Sequence, residues 1–435
     1  MDNNTQKETG TPSLASRIRQ FRLFQPLADR NFFLLWLGES VSMFGNQFHA
    51  LALTWVILDV LKAPGLALGT VLMASAIPRA IFMLFGGVLS DRLSPRRVML
   101  VSNAGLCIIA AGLAFLVFSH TRGIYTLEIW HLYVLSVIFG IVAAFFMPAM
   151  ATMIPRLLNR EKLESGNSLV MGTMELSGLI GPAAAGIVVA TAGTAAAFGI
   201  DSATFAFATV TLFLMRGLNF RPKPVGNSNT VTIPMRKDSA LTDIKDGFRY
   251  VLSQPGMRAQ IVAIAVANFC IVGPISVGLP VLVHNLTPEP TALGMVMAVA
   301  GIGGLFGTIL AGSIRLRHRG ILLITVFIVA GSGFGLLGLM PSLLSIALLS
   351  GAAAIGSGLV NVILTAWFQG VTRIDMLGRV MSLLMFASAG LQPVSLALGG
   401  WLVDLSSTLM FAGAGGLIAV TGIYLATNRA VRAID

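Results

Sequence analysis

Charged residues are scarce in this sequence: Asp, Glu, Lys and Arg make up 11% of its 435 residues, against 55% hydrophobic. A water-soluble domain carries roughly 25% charged residues. No soluble surface can be assembled from this composition, and an integral membrane protein is expected. Cysteine is nearly absent. Cys107 and Cys270 lie far apart inside apolar runs, which fits buried small hydrophobes and supports neither a disulfide nor a metal site. No glycine precedes a lysine, so the Gly-x4-Gly-Lys phosphate loop is missing and ATP-driven pumping by this chain alone is unsupported. No His, Cys and carboxylate cluster has metal-ligand spacing and no nucleophile motif occurs, so neither enzyme activity nor a cofactor is expected. The opening MDNNTQKETGTPSLASRIRQFR lacks an apolar core and a cleavage site and reads as a retained cytoplasmic tail, not a signal peptide. The net charge of +11 does not point to nucleic acid, because the charges sit in the gaps between apolar runs.

Those runs are what the sequence has in abundance. Twelve can be placed, approximately 32–58, 68–89, 98–118, 130–154, 168–191, 195–215, 261–283, 291–314, 321–340, 343–367, 380–403 and 408–427. Most hold the ~20 residues that a helix needs to cross a bilayer. Runs nine and ten are divided only by Pro341-Ser342. With the N-terminus inside, the inner segments hold 26 of the 29 Lys and Arg, the outer loops only Lys62 and Arg122, and Arg79 lies within a run. That bias predicts cytoplasmic termini and a plasma membrane (bacterial inner membrane) location.

The expected organisation is a tail over 1–30, a six-helix bundle over 31–216, a cytoplasmic linker over 217–258, a second six-helix bundle over 259–428 and a tail over 429–435. The linker opens with flexible composition. It ends with Ile244, Phe248, Val251 and Leu252 on one helical face and Lys245, Asp246 and Arg249 on the other. That pattern suits an amphipathic helix on the membrane surface, or a plain linker helix. Shifting the chain by 225 residues lays Ala67-Leu68-Gly69-Thr70-Val71 on Ala292-Leu293-Gly294-Met295-Val296, and Gly87 on Gly312, a weak internal repeat.

Charges inside apolar runs are costly unless paired, so they demand partners. Glu39, Ser42, Asn46 and His49 form one polar stripe on the first run. Glu39 lies roughly 10 Å in from the cytoplasmic end of its helix, at 1.5 Å per residue. Glu175 lies at a similar depth and Arg79 near the middle. The three are expected to form one charged cluster that couples protons; a structural ion pair and no contact at all are the alternatives. His49 reads as a hydrogen-bonded packing residue.

Gly87-Val-Leu-Ser-Asp91-Arg92, followed by Arg96 and Arg97, resembles the loop motif between helices two and three of the major facilitator superfamily. The stretch Gly181-Pro182-Ala-Ala-Ala-Gly186 resembles the helix-five motif of its exporters. The opening Asn31-Phe-Phe-Leu-Leu-Trp36-Leu-Gly38-Glu39-Ser-Val-Ser42-Met-Phe-Gly45-Asn46 resembles its macrolide and enterobactin exporter branch. The resemblance implies an all-α membrane protein of twelve transmembrane helices, arranged as two pseudo-symmetric six-helix bundles with a solute site between them. It also implies that Gly87, Asp91, Arg92, Arg96 and Arg97 latch the halves against helix eleven near Gly378 and Arg379. Gly181, Pro182 and Gly186 would be its hinge, or simply close helix packing. Candidate solute contacts are Asn46, Met73, Phe146, Met150, Asn268, Asn361, Trp367, Phe386 and Gln392, because Met and aromatic side chains repack around varied shapes.

The expected protein is a monomeric secondary transporter that needs no cofactor beyond the proton gradient. Its partners would be the lipid bilayer, protons and a small amphipathic solute, drug- or siderophore-like, which it exports. An uptake permease of the same fold, a lipid or lysolipid translocase, and a non-transporting receptor or scaffold are the alternatives.

Overall fold

The computed structural model describes residues 22–92, 94–216, 248–313, 318–373 and 376–433, with the backbone alone at Arg22, 84–92, 377, 378 and 382. Among the described residues the chain is helical, and eleven helices are long and apolar enough to cross a membrane. They are α1 (Arg30–Val60), α2 (Gly65–Arg92), α3 (Pro95–Thr121), α4 (Ile129–Leu157), α5 (Arg160–Leu214), α6 (Pro255–Leu286), α7 (Pro290–Ser313), α8 (Arg319–Leu339), α9 (Leu343–Val371), α10 (Leu377–Ala389, resumed at Gln392–Leu405) and α11 (Ser407–Thr427). The difference from twelve runs lies in α5. Its 55 residues hold runs five and six, which Gly193 separates with a positive φ of 84°. Only glycine takes that conformation without steric cost. It divides α5 into two arms, each long enough to cross by itself. The proposed boundary between runs nine and ten holds: Pro341 ends one helix and the Ser342 hydroxyl accepts from the Ser345 N–H to begin α9.

The 225-residue offset is visible in the element starts: Arg30 and Pro255, Gly65 and Pro290. Both α1 and α6 pass through a π-helical turn, at Val56–Val60 and Pro274–Gly278. The two helix sets are therefore built on one plan. In the first set, α1 packs along both arms of α5, whose second arm is tied to α3 by Arg96. The Arg96 guanidinium donates from Nε to the Leu212 carbonyl and from Nη2 to the Phe213 carbonyl, both at 2.9 Å. It thus sits on the C-terminal carbonyls of that arm, where a cation is favoured, inside one bundle and not between two. Arg96→Ala is expected to lower stability by about 1–2 kcal/mol, read as a fall in thermal unfolding temperature in detergent; an unchanged temperature would contradict it. The helical segment 248–253 precedes α6, while Ile244 and the rest of the expected amphipathic helix lie outside the described residues.

Candidate functional site: an asymmetric cleft, its gate and its buried polar groups

The two helix sets meet at the end of the molecule remote from Arg30 and Thr427, here the far end. Three contacts close it. The Asp404 carboxylate at the end of α10 accepts from the Gly65 N–H at 2.7 Å and the Leu66 N–H at 2.8 Å. These are unpaired donors at the N-terminus of α2, where an anion is favoured by helix dipole and hydrogen bond together. Below this cap the backbones touch: a Cβ on Gly69 would strike the Leu396 carbonyl, and one on Gly400 would lie 2.6 Å from the Gly65 carbonyl. The second contact joins α5 to α7, where a Cβ on Gly186 would lie 2.8 Å from the Pro290 carbonyl and one on Gly294 would meet the Pro182 carbonyl. The third joins α1 to α6. Asp59 Oδ1 lies 3.4 Å from His284 Nε2, and the His284 ring stands edge-on to Trp55, centroids 5.3 Å apart. Asp59 and His284 are 225 residues apart, the offset that relates the two halves. Equivalent residues touch where a pseudo-twofold axis leaves the protein.

Toward the opposite end, glycine contacts of this kind are missing at two positions among the described residues. Side chains built on Gly172 of α5 or Gly312 of α7 would meet nothing within 4 Å. Among the described residues, the contacts that join the two sets across the cleft thus gather at the far end, away from the end bearing Arg30 and Thr427.

Buried ionisable groups sit in the first helix set. Glu39 is 2% exposed and takes a hydrogen bond of 3.2 Å from the amide of fully buried Asn103 on α3. His49 Nδ1 lies 3.0 Å from Oδ2 of Asp201, a residue of the second arm of α5 with no exposed surface.

The second helix set holds a partly open cavity of about 790 Å³ between α6, α7, α8, α9, α10 and α11. Phe334, Phe368 and Met385 supply apolar wall, and Asn268, Ser350, Asn361 and Thr365 supply polar points. Among the described residues its lining includes no charged side chain. Asn268 spends its amide on the Ile264 carbonyl at 3.0 Å, leaving its Oδ1 to accept from a ligand. Ser350 Oγ is buried without a partner. A cavity of that size, mostly apolar with a few polar points, suits a drug-sized molecule.

The structure separates the residues that sequence depth grouped together. Glu39 pairs with Asn103, whereas Arg79 and Glu175 are exposed and no ion pair joins either of them to Glu39. Of the expected solute contacts, Asn268 and Asn361 line the cavity. Met150 is packed in the core of the first set, and Met73, Phe146 and Trp367 pack at the margins of apolar cores. Asn46, Phe386 and Gln392 are exposed outside the cavity lining. In the expected latch, the side chains of Gly87, Asp91, Arg92 and Gly378 lie outside the described residues; Arg97 is exposed and Arg379 donates to Met376 Sδ at 3.6 Å. Gly181 packs on Gln47, while Pro182 and Gly186 form backbone contact with α7, with α5 helical through all three. Sequence reading passed over Asp201, Asp404 and Asp59. Asp201 carried a usable signal, an acid within an apolar run.

The family model for the Major Facilitator Superfamily matches residues 35–392. Among curated relatives, the uncharacterized MFS-type transporter YfiS of Bacillus subtilis (strain 168) is 24% identical over 400 residues, covering 89% of this chain and 91% of YfiS. The enterobactin exporter EntS of Escherichia coli O127:H6 is 26% identical over 353 residues, covering 79% and 78%. Among solved structures, a bacterial homologue of the human lysosomal transporter Spinster, in an inward-facing and unoccupied conformation, superimposes with a TM-score of 0.65 at 14% identity and covers 97% of both chains. The match over most of its length, on a helical frame built twice around a cleft, makes this multi-pass membrane protein a member of the major facilitator superfamily.

Proposed function

We propose that the protein exports small amphipathic molecules by alternating access, driven by protons returning through the first helix set. The observation that carries this reading is the division of chemistry between the two sets. Ionisable groups are buried in one, with Glu39 held only by a neutral amide, and an uncharged cavity of about 790 Å³ occupies the other. A carboxyl group in hydrocarbon without a cation is a functional candidate by its cost alone. A cavity with amide and hydroxyl points on apolar walls favours a neutral ligand with its own hydrogen-bonding groups. The direction of transport draws support from the relatives, since EntS is by name an enterobactin exporter. With the termini in the cytoplasm, the end of the cleft away from the joining contacts faces the cytoplasm, as loading for export requires. The coupling sites, the orientation and the domain limits 31–216 and 259–428 are part of this proposal.

Everted membrane vesicles test it, with enterobactin and a macrolide as probes. Energised vesicles are expected to accumulate a probe and to lose it when an uncoupler is added; accumulation indifferent to the uncoupler would reject proton coupling. Within the cavity, Asn361→Leu is expected to weaken binding of the transported probe by roughly tenfold, the worth of one or two hydrogen bonds to the ligand. Unchanged binding, read by fluorescence or calorimetry on purified protein, would move the solute site elsewhere.

A further inference from the structure

We propose that the His49–Asp201 pair is a second proton-binding site of the first helix set, separate from Glu39 and loaded once per transport cycle. The inference rests on the proton-coupled reading above. Asp201 is wholly buried. Its Oδ2 meets His49 Nδ1 at 3.0 Å and its Oδ1 has no hydrogen-bond partner. The elements around the pair bring it no other charge. Asp201 is the sole charged residue of the second arm of α5, and α4 presents Phe139, stacked on the imidazole with centroids 4.5 Å apart. On α3 the nearest ionisable group is Cys107, bonded to Ser202 and not to the carboxylate. Arg79 of α2 and Glu175 of the first α5 arm are exposed. Glu39 stands ten residues earlier on α1, roughly 15 Å along the helix, and is engaged by Asn103.

With a neutral imidazole, this pair would carry one uncompensated negative charge inside the hydrocarbon layer, on an acid with an empty acceptor. One proton on His49 cancels it. The balance is simple. In the loaded form both ring nitrogens carry hydrogen, Nδ1–H donates to the carboxylate and the net charge is zero. On unloading, the Nε2 proton passes to water and Nδ1–H remains on the Asp201 bond. His49 keeps 12% of its side chain exposed, next to Asn46, which is exposed one turn earlier, so the departing proton has an outlet. A histidine serving only to pack would need neither a buried acid nor an exposed edge.

Two measurements test the site. The first is nitrogen-15 NMR of ring-labelled full-length protein in nanodiscs, with the His49 signal identified by its loss in His49→Gln. His49 is expected to show the imidazolium signature in wild type and to lose it in Asp201→Asn, with His120, His131, His284 and His318 unmoved. A neutral ring in wild type, or one indifferent to Asp201→Asn, overturns the proposal. The second compares gradient-driven accumulation with gradient-free exchange of enterobactin and a macrolide in proteoliposomes. One proton crossing about 100 mV is worth about 2.3 kcal/mol, roughly 50-fold in steady-state accumulation. His49→Gln and Asp201→Asn are each expected to lose that factor while exchange falls by less than about twofold, and Asp201→Glu to restore part of it. Driven transport and exchange falling together, or neither falling, would identify a brace between α1 and α5 and overturn the proposal. Absence of both driven transport and exchange in wild type would instead count against the export reading, and the imidazole signal then decides the proton site alone.

Discussion

Glu39→Gln is expected to lower gradient-driven accumulation by roughly 50-fold at about 100 mV, the worth of one proton's passage across that potential, while leaving the protein inserted and folded. The amide is isosteric with the carboxyl group and can keep the 3.2 Å contact with Asn103, but it cannot exchange a proton. Packing around α1 would therefore change little. Asn103 Oδ1 has no partner in the present structure, so the new amide also finds an acceptor within reach, and stability should shift by no more than about 1 kcal/mol. The measurement is probe accumulation in proteoliposomes under an imposed membrane potential of about 100 mV, beside thermal unfolding of the same preparation. Full accumulation at unchanged stability would remove Glu39 from the coupling path.

Asp404→Ala is expected to open the far end. Its carboxylate supplies two charge-assisted hydrogen bonds to a helix N-terminus across the interface between the helix sets. Part of their loss is regained when water reaches the freed amides, so a net bias of about 2–3 kcal/mol toward the outward-open form is expected, a shift of roughly 30- to 150-fold in population. Asp404→Asn keeps one acceptor oxygen and should give an intermediate effect. Alkylation of a cysteine at Leu72 by a membrane-impermeant maleimide added from the far-end side reads the shift, in a background with Cys107 and Cys270 replaced by alanine. Equal alkylation rates in parent and Asp404→Ala would show that backbone contact alone keeps that end shut. The effect is distinct from that of Glu39→Gln, since it should appear without any gradient.

Sequence reading captured the membrane class, the duplicated plan and the family, because each follows from hydrophobic length, glycine and proline placement, or a local motif. Gly193 was visible as the short gap between runs five and six. The buried polar groups were only half legible. Depth along a helix follows from counting residues, but the direction a side chain faces depends on neighbours far away in sequence. Glu39, Arg79 and Glu175 share a depth band, yet they point to Asn103 and to open surface. Asp201 was open to detection by the rule that singled out Arg79, an ionisable residue within an apolar stretch. Asp404 was not: it stands just past its run, and the amides it caps are 338 and 339 positions away. Asn268 and Asn361 line the cavity while Asn46 and Gln392 do not, because a carboxamide in a membrane helix seeks protein or water without its sequence saying which. Their companions Ser350 and Thr365 carry hydroxyls that can bond to their own helix and so give no comparable signal.

Main-chain contact at the far end, with Gly69 and Gly400 on one side and Gly186 and Gly294 on the other, bears on speed as well as fit. Where backbones meet at these glycines there is no side chain to unthread when the surfaces separate; the rotamers to be re-sorted belong to the neighbouring Trp55 and His284 contact. Such backbone contacts can close tightly, yet part in a single movement once the carboxylate cap lets go.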